Sequence, residues 1–270
     1  MRALTASEQI QVWELGGRRP LARRALYLLA ASTGISLDRL AHFSLGRRDT
    51  LLLKLRGMMF GPRIEAVSTC PECRDELEWA FDVAELVTED AAAETALVTA
   101  GAAGDVSVAS SHLLRFDDYE VRFRVPNSGD LEAVAVCENG DAARELLLAR
   151  CISKVKFDGN GARDESGVTC EGDPGNVRLS AEAVKALVKK MTEIDPYANV
   201  RLNLTCPSCL HDWSTIFDIV SFLWAEIEDQ AKRLMDEVHL LASAYGWSEQ
   251  EVLELSRQRR RWYVERLENA

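Results

Sequence analysis

Four of the seven cysteines fall in two Cys-Pro-x-Cys pairs, Cys70-Pro71-Glu72-Cys73 and Cys206-Pro207-Ser208-Cys209. A gap of two residues lets both thiolates of a tight turn face one ion. Two such turns supply the four soft ligands of a tetrahedral Zn²⁺, with Zn–S bonds of about 2.3 Å. Each pair sits in a longer repeat. Thr69 leads into the first pair, and Cys73 is followed by seven intervening residues and then Phe81-Asp82-Val83; Thr205 leads into the second, and Cys209 is followed by seven intervening residues and then Phe217-Asp218-Ile219. Between Cys73 and Cys206 lie 132 residues, so the spacing predicts a zinc ribbon split by an insertion. Neither pair has two further Cys or His ligands close by, which favours one shared ion over two separate ones. His211 is near enough to compete as a ligand, although four thiolates need no help. Four thiolates close the coordination shell and leave no position for water, so the expected role is structural, with one Zn²⁺ per chain clamping two distant segments. The competing reading of CxxC, a redox dithiol, suits a pair at a helix start, and no fitting helix start follows either pair.

The other reactive residue types point away from catalysis. Cys137, Cys151 and Cys170 fit no ligand spacing, and the first two lie in apolar helical contexts that suit a core. His42, His112 and His239 are isolated. The acidic pairs Asp117-Asp118 and Asp164-Glu165 read as solvated turns. The sequence holds no G-x-S-x-G, no phosphate-binding Gly-rich loop and no G-x-G-x-x-G. The expectation is a non-enzymatic protein.

The elements that must carry the two pairs follow from periodicity and capping. Thr5 with Glu8 forms a capping box for a first helix that Gly16-Gly17 ends. Pro20 opens a second over residues 21–31, Ser36 can cap a short third, and a fourth runs over 46–60. Arg18, Arg19, Arg23, Arg24, Arg47 and Arg48 fall on the outer faces of this helical unit. Strands over 63–69 and 77–83 flank the first pair, and strands over 200–205 and 213–217 flank the second. Between them are an Ala-rich linker at 88–111, a hairpin at 113–124, helices at 130–137 and 141–151, a strand at 154–157, a Gly/Asp-rich loop at 158–176, and a helix from Ser180 to Ile194. Val220, Trp224, Ile227, Ala231, Leu234, Val238 and Leu241 recur in steps of four and three, a stripe suited to a core face under the N-terminal helices. Ser248 with Glu251 caps a further helix, and the last one holds Arg257, Arg259, Arg260 and Arg261. The expected fold is α+β: helical N- and C-terminal units joined by a split four-cysteine zinc ribbon with a large α/β insertion. Its parts are residues 1–62, 63–87, 88–111, 112–198, 199–219 and 220–270.

Composition bounds the function class. With 47% hydrophobic and 28% charged residues among 270, the chain reads as an ordinary soluble globular protein. Its net charge of −11 is uneven: about +6 over residues 1–66, −14 over 67–220 and −3 over 221–270. That balance disfavours a polyanion-binding protein, although the arginine clusters and the knuckles leave nucleic-acid binding as the second reading. The N-terminus lacks an apolar signal region and no run is long enough to span a bilayer, so the expected location is cytoplasmic, in association with a particle.

Gly46-Arg47-Arg48-Asp49, Leu51 to Arg56, Phe60-Gly61 and the first Cys pair, in that order, resemble the T4-type baseplate hub assembly chaperone family of contractile phage tails and related injection systems. Arg124-Val125-Pro126-Asn127 with Asp130-Leu131, Asp195-Pro196, the second Cys pair with His211 and Trp213, and Tyr245-Gly246-Trp247-Ser248-Glu249 extend the likeness to longer members. One departure is that Arg74 and Leu210 stand where glycine is expected after each knuckle. The resemblance implies an assembly role with baseplate or hub proteins as partners; the residues themselves point to neither a membrane nor a small-molecule substrate.

Overall fold

The structure, a computed structural model, describes residues 1–86, 111–117, 119–157 and 179–269. In chain order the elements are α1 (Ala6–Gly16), α2 (Leu21–Thr33), α3 (Leu37–Ala41), α4 (Leu45–Phe60), β1 (Arg63–Thr69), β2 (Glu76–Asp82), α5 (Val83–Leu86), β3 (His112–Phe116) and β4 (Tyr119–Phe123). They continue with α6 (Ser128–Val134), α7 (Gly140–Cys151), β5 (Ile152–Phe157), α8 (Ala181–Ile194), a 3₁₀ turn (Pro196–Asn199), β6 (Arg201–Thr205), β7 (Asp212–Ile216), α9 (Ile219–Tyr245), α10 (Glu249–Glu254) and α11 (Arg257–Glu268). The fold is α+β with helical termini. The linker expected at 88–111 lies outside the described residues except for Ser111. So do the loop at 158–176 with Cys170 and the Asp164-Glu165 pair, and Asp118. Among the described residues no helix is long and apolar enough to cross a membrane.

The chain divides into two compact units, and α4 is shared between them. One comprises residues 1–37, 52–62 and 218–270, the other 38–51 and 63–217. The first unit is helical. Thr5 and Glu8 cap α1 reciprocally, and the Arg2 guanidinium, with Thr5, holds the Glu8 carboxyl down at about 2 against its partial burial. α9 is the spine: Val220, Leu223, Trp224, Ile227, Ala231, Leu234 and Leu241 are buried, and α1 and α2 pack on it. Val238, expected in this stripe, is only half-buried. Gly16 is needed where α1 meets α9, because a Cβ there would lie 2.3 Å from the Trp224 ring. Arg24 covers the same ring at 4.7 Å and donates to the carbonyls of Gly16 and Gly17, satisfying the end of α1. Arg260 of the C-terminal arginine run is buried, donating to Glu237 at 2.8 Å and to the Leu255 carbonyl.

Among the described residues, the second unit holds three small antiparallel sheets, β1-β2, β3-β4-β5 and β6-β7. α8 covers the three-stranded sheet over Val121, Phe123, Ile152, Val155 and Leu187. Its polar centre ties together segments far apart in sequence. Asp195, past the end of α8, accepts from the Gly46 N–H at 2.9 Å and from the Ser44 hydroxyl at 3.1 Å. A Cβ at Gly46 would lie 2.2 Å from the Asp195 carboxylate, so only glycine fits. Ser44 bridges Asn127, and the Leu45 N–H donates to the Pro126 carbonyl. Asn127 and Asp130 form a capping box that starts a helix at Ser128, two residues before the expected start, and ends it at Val134. Arg48, expected on an outer face, is buried and donates to Asp49 and to the Ser128 hydroxyl. Cys151 is buried as expected, but Cys137 is not a core residue: α6 has ended before it, and it is half-buried.

Candidate metal centre

Two hairpins position the cysteines. In β1-β2 the last pair is Thr69 opposite Glu76, and in β6-β7 it is Thr205 opposite Asp212, so each Cys pair occupies a hairpin turn. The turns are built alike. The Cys70 N–H donates to the Asp75 carbonyl at 2.9 Å and the Arg74 N–H to the Cys70 carbonyl at 3.0 Å. In the second copy, Cys206 N–H donates to His211 at 2.9 Å and Leu210 N–H to Cys206 at 2.9 Å. Returning the chain this tightly needs a left-handed residue after the second cysteine, and Arg74 (φ 65°) and Leu210 (φ 59°) both adopt it. The missing glycines therefore do not change the turn.

The sulfurs meet across the two hairpins. Cys70 Sγ lies 3.7 Å from Cys209 Sγ, and Cys73 Sγ lies 3.5 Å from Cys206 Sγ. All four atoms lie within 4.8 Å of one another. The first cysteine of each pair is buried, against Leu77, Trp79 and Trp213, and the second is exposed. The aromatic residues of the repeat close the base: Trp79 stacks on Phe81 at 5.5 Å, and Phe217 meets Phe81 edge-on at 5.3 Å. The N–H groups of Cys209 and Ser208 draw the Cys206 thiol down to about 7 against desolvation. The Asp75 N–H favours the Cys73 thiolate, but desolvation and the neighbouring sulfurs outweigh it and push that thiol up to about 12. One acidic thiol among crowded sulfurs is the electrostatics of a set that a cation would stabilise.

This donor set fits a tetrahedral soft ion. Bonds of about 2.3 Å at tetrahedral angles put sulfurs about 3.8 Å apart, close to the two cross-hairpin distances. An ion held by all four would keep no open position. His211 stands outside the cluster, with its ring stacked at 6.2 Å on Trp213. Cys137 and Cys151 also lie outside it. His42 is held at 2.6 Å by the Asp38 carbonyl, His112 lies against Phe123, and His239 is exposed. The sequence gives no direct sign that the buried Asp130 is gripped by Arg124 and Arg150, or that Asp195 holds Gly46. The Asn127…Asp130 spacing is a capping-box signal that could have found the first, whereas Asp195-Pro196 reads only as a helix stop.

No curated protein and no solved structure matches the chain. A family model described as "T4 bacteriophage base plate protein" matches residues 28–224, most of the chain, including both Cys pairs and the segments joined at Asp195. The chain belongs to the T4 bacteriophage base plate protein family and has a structural or assembly role in a phage base plate.

Proposed function

We propose that the protein is a zinc-stabilised assembly chaperone or structural component for the baseplate of a contractile phage-tail-like injection system. It acts in the cytoplasm, by binding baseplate or hub proteins and without catalysis. Cys70, Cys73, Cys206 and Cys209 would hold one Zn²⁺, which supplies the charge that keeps four thiolates together. The observation that carries this is the meeting of two cysteine pairs separated by 132 residues. Such a closure joins the ends of a long excursion, and structural zinc contributes on the order of 10 kcal/mol to folding in small modules. A closed, four-sulfur set supports a clamp rather than a reaction centre.

Metal analysis of the purified full chain tests this reading. The expected result is about one zinc per chain, and Cys→Ser at any of the four positions lowers metal content and unfolds the two hairpins. Well-folded protein carrying no zinc, or two zincs per chain, would refute the shared clamp.

A further inference from the structure

Arg74 and Leu210 occupy equivalent left-handed positions, one in each knuckle. Glycine takes this conformation freely, whereas the Cβ of an L-residue crowds its own carbonyl. Leu210 carries a second cost. Its side chain is 76% exposed and takes no part in the core around the sulfurs. Among the described residues it is the only large apolar side chain that is both exposed and at positive φ. A strained backbone that holds an isobutyl group in water is unfavourable for the isolated chain on both counts. Backbone strain that persists at a surface points to a use for the side chain it displays.

We propose that Leu210 is an apolar anchor that the second knuckle inserts into a socket on another base plate protein. The proposal rests on the assembly reading above. The charges beside the knuckles define the socket. Among the described residues of the two turns, Glu72, Asp75 and Glu76 are exposed at the first and Asp212 at the second, against the single cation of Arg74. The complementary partner is an apolar pocket with a basic rim; nucleic acid and anionic membranes carry the wrong sign. The Leu210 N–H bond to Cys206 holds the anchor on a tight turn, so little freedom is lost when it docks.

The test compares Leu210→Gly, Leu210→Asn, Leu210→Met and Arg74→Gly in the full chain with a strain lacking the gene. It reads thermal melting and zinc content of the purified protein, and complete particles counted by electron microscopy in producing cells. Leu210→Gly and Leu210→Asn should keep their metal and melt about 2–4 °C higher, yet lower the particle count at least tenfold. Leu210→Met should keep the count. Arg74→Gly relieves the same strain without removing the anchor, and should melt higher at an unchanged count. Normal particle numbers with Leu210→Gly, in a background where loss of the gene abolishes particles, would overturn the anchor. A lower melting temperature for Leu210→Gly would overturn its premise of strain. If loss of the gene leaves particle numbers unchanged, the assembly reading itself fails and the anchor falls with it.

Discussion

Asp130 is fully buried and accepts from Arg124, at 2.5 and 2.9 Å, and from Arg150 at 2.8 Å, besides capping α6 through the Asn127 N–H. Burial alone would raise its carboxyl, but Arg124, the Asn127 N–H and Arg150 outweigh it and hold it below the ordinary Asp range. A depressed folded value means that the stabilisation is fully present above the unfolded value of about 3.9 and is lost as pH falls through the folded one. Urea unfolding between pH 7 and pH 3 should show this acid limb, and Asp130→Asn should flatten it while lowering stability at pH 7. An unchanged limb in the variant would assign the acid loss to other groups. At this scale the cysteines and the Thr5 and Ser248 caps were legible, because each signal lies within four residues. Asp195 and the Gly46 it holds are 149 residues apart, and no local pattern links them.

The elements follow periodicity where one face is buried. Steps of three and four read α9 correctly as a core stripe, since a helix of 27 residues repeats its pattern many times. Its position Val238 faces less company than the pattern implies. Truncation should reveal the difference: Ile227→Ala should cost about 2–5 kcal/mol, whereas Val238→Ala should cost about 1 kcal/mol or less. Urea denaturation of both variants checks it, and equal losses would contradict the burial pattern. Short elements are less legible. The strand expected at 154–157 begins at Ile152, immediately after α7, and the helix expected at 130–137 is Ser128–Val134. Such boundaries are set by caps and partner strands more than by composition. Arg48 shows the same limit for faces. A charged residue on a helix reads as solvated, yet Asp49 and Ser128 satisfy it inside.

At the scale of the whole molecule, the two hairpins depend on each other more than the helical unit depends on them. Each is a two-stranded ribbon, marginal by itself, and the sulfurs join them. Stripping the proposed zinc with a chelator, followed by hydrogen exchange on the full chain, should deprotect β1, β2, β6 and β7 first, while amides in the middle of α9 stay protected. Simultaneous loss from α9 would show that the metal supports the whole chain. The local repeat around each Cys pair determined, from sequence alone, the two knuckles, their flanking strands and the soft donor chemistry of their thiols, because Cys spacing and hairpin chemistry act over a dozen residues. The same repeat predicts that the knuckles meet across 132 intervening residues, and the four sulfurs do cluster; only the tertiary structure decided that Asp195 binds the start of α4 and that Leu210 stands strained in solvent. These are matters of long-range packing and backbone geometry, and neither is written in the spacing of neighbouring side chains.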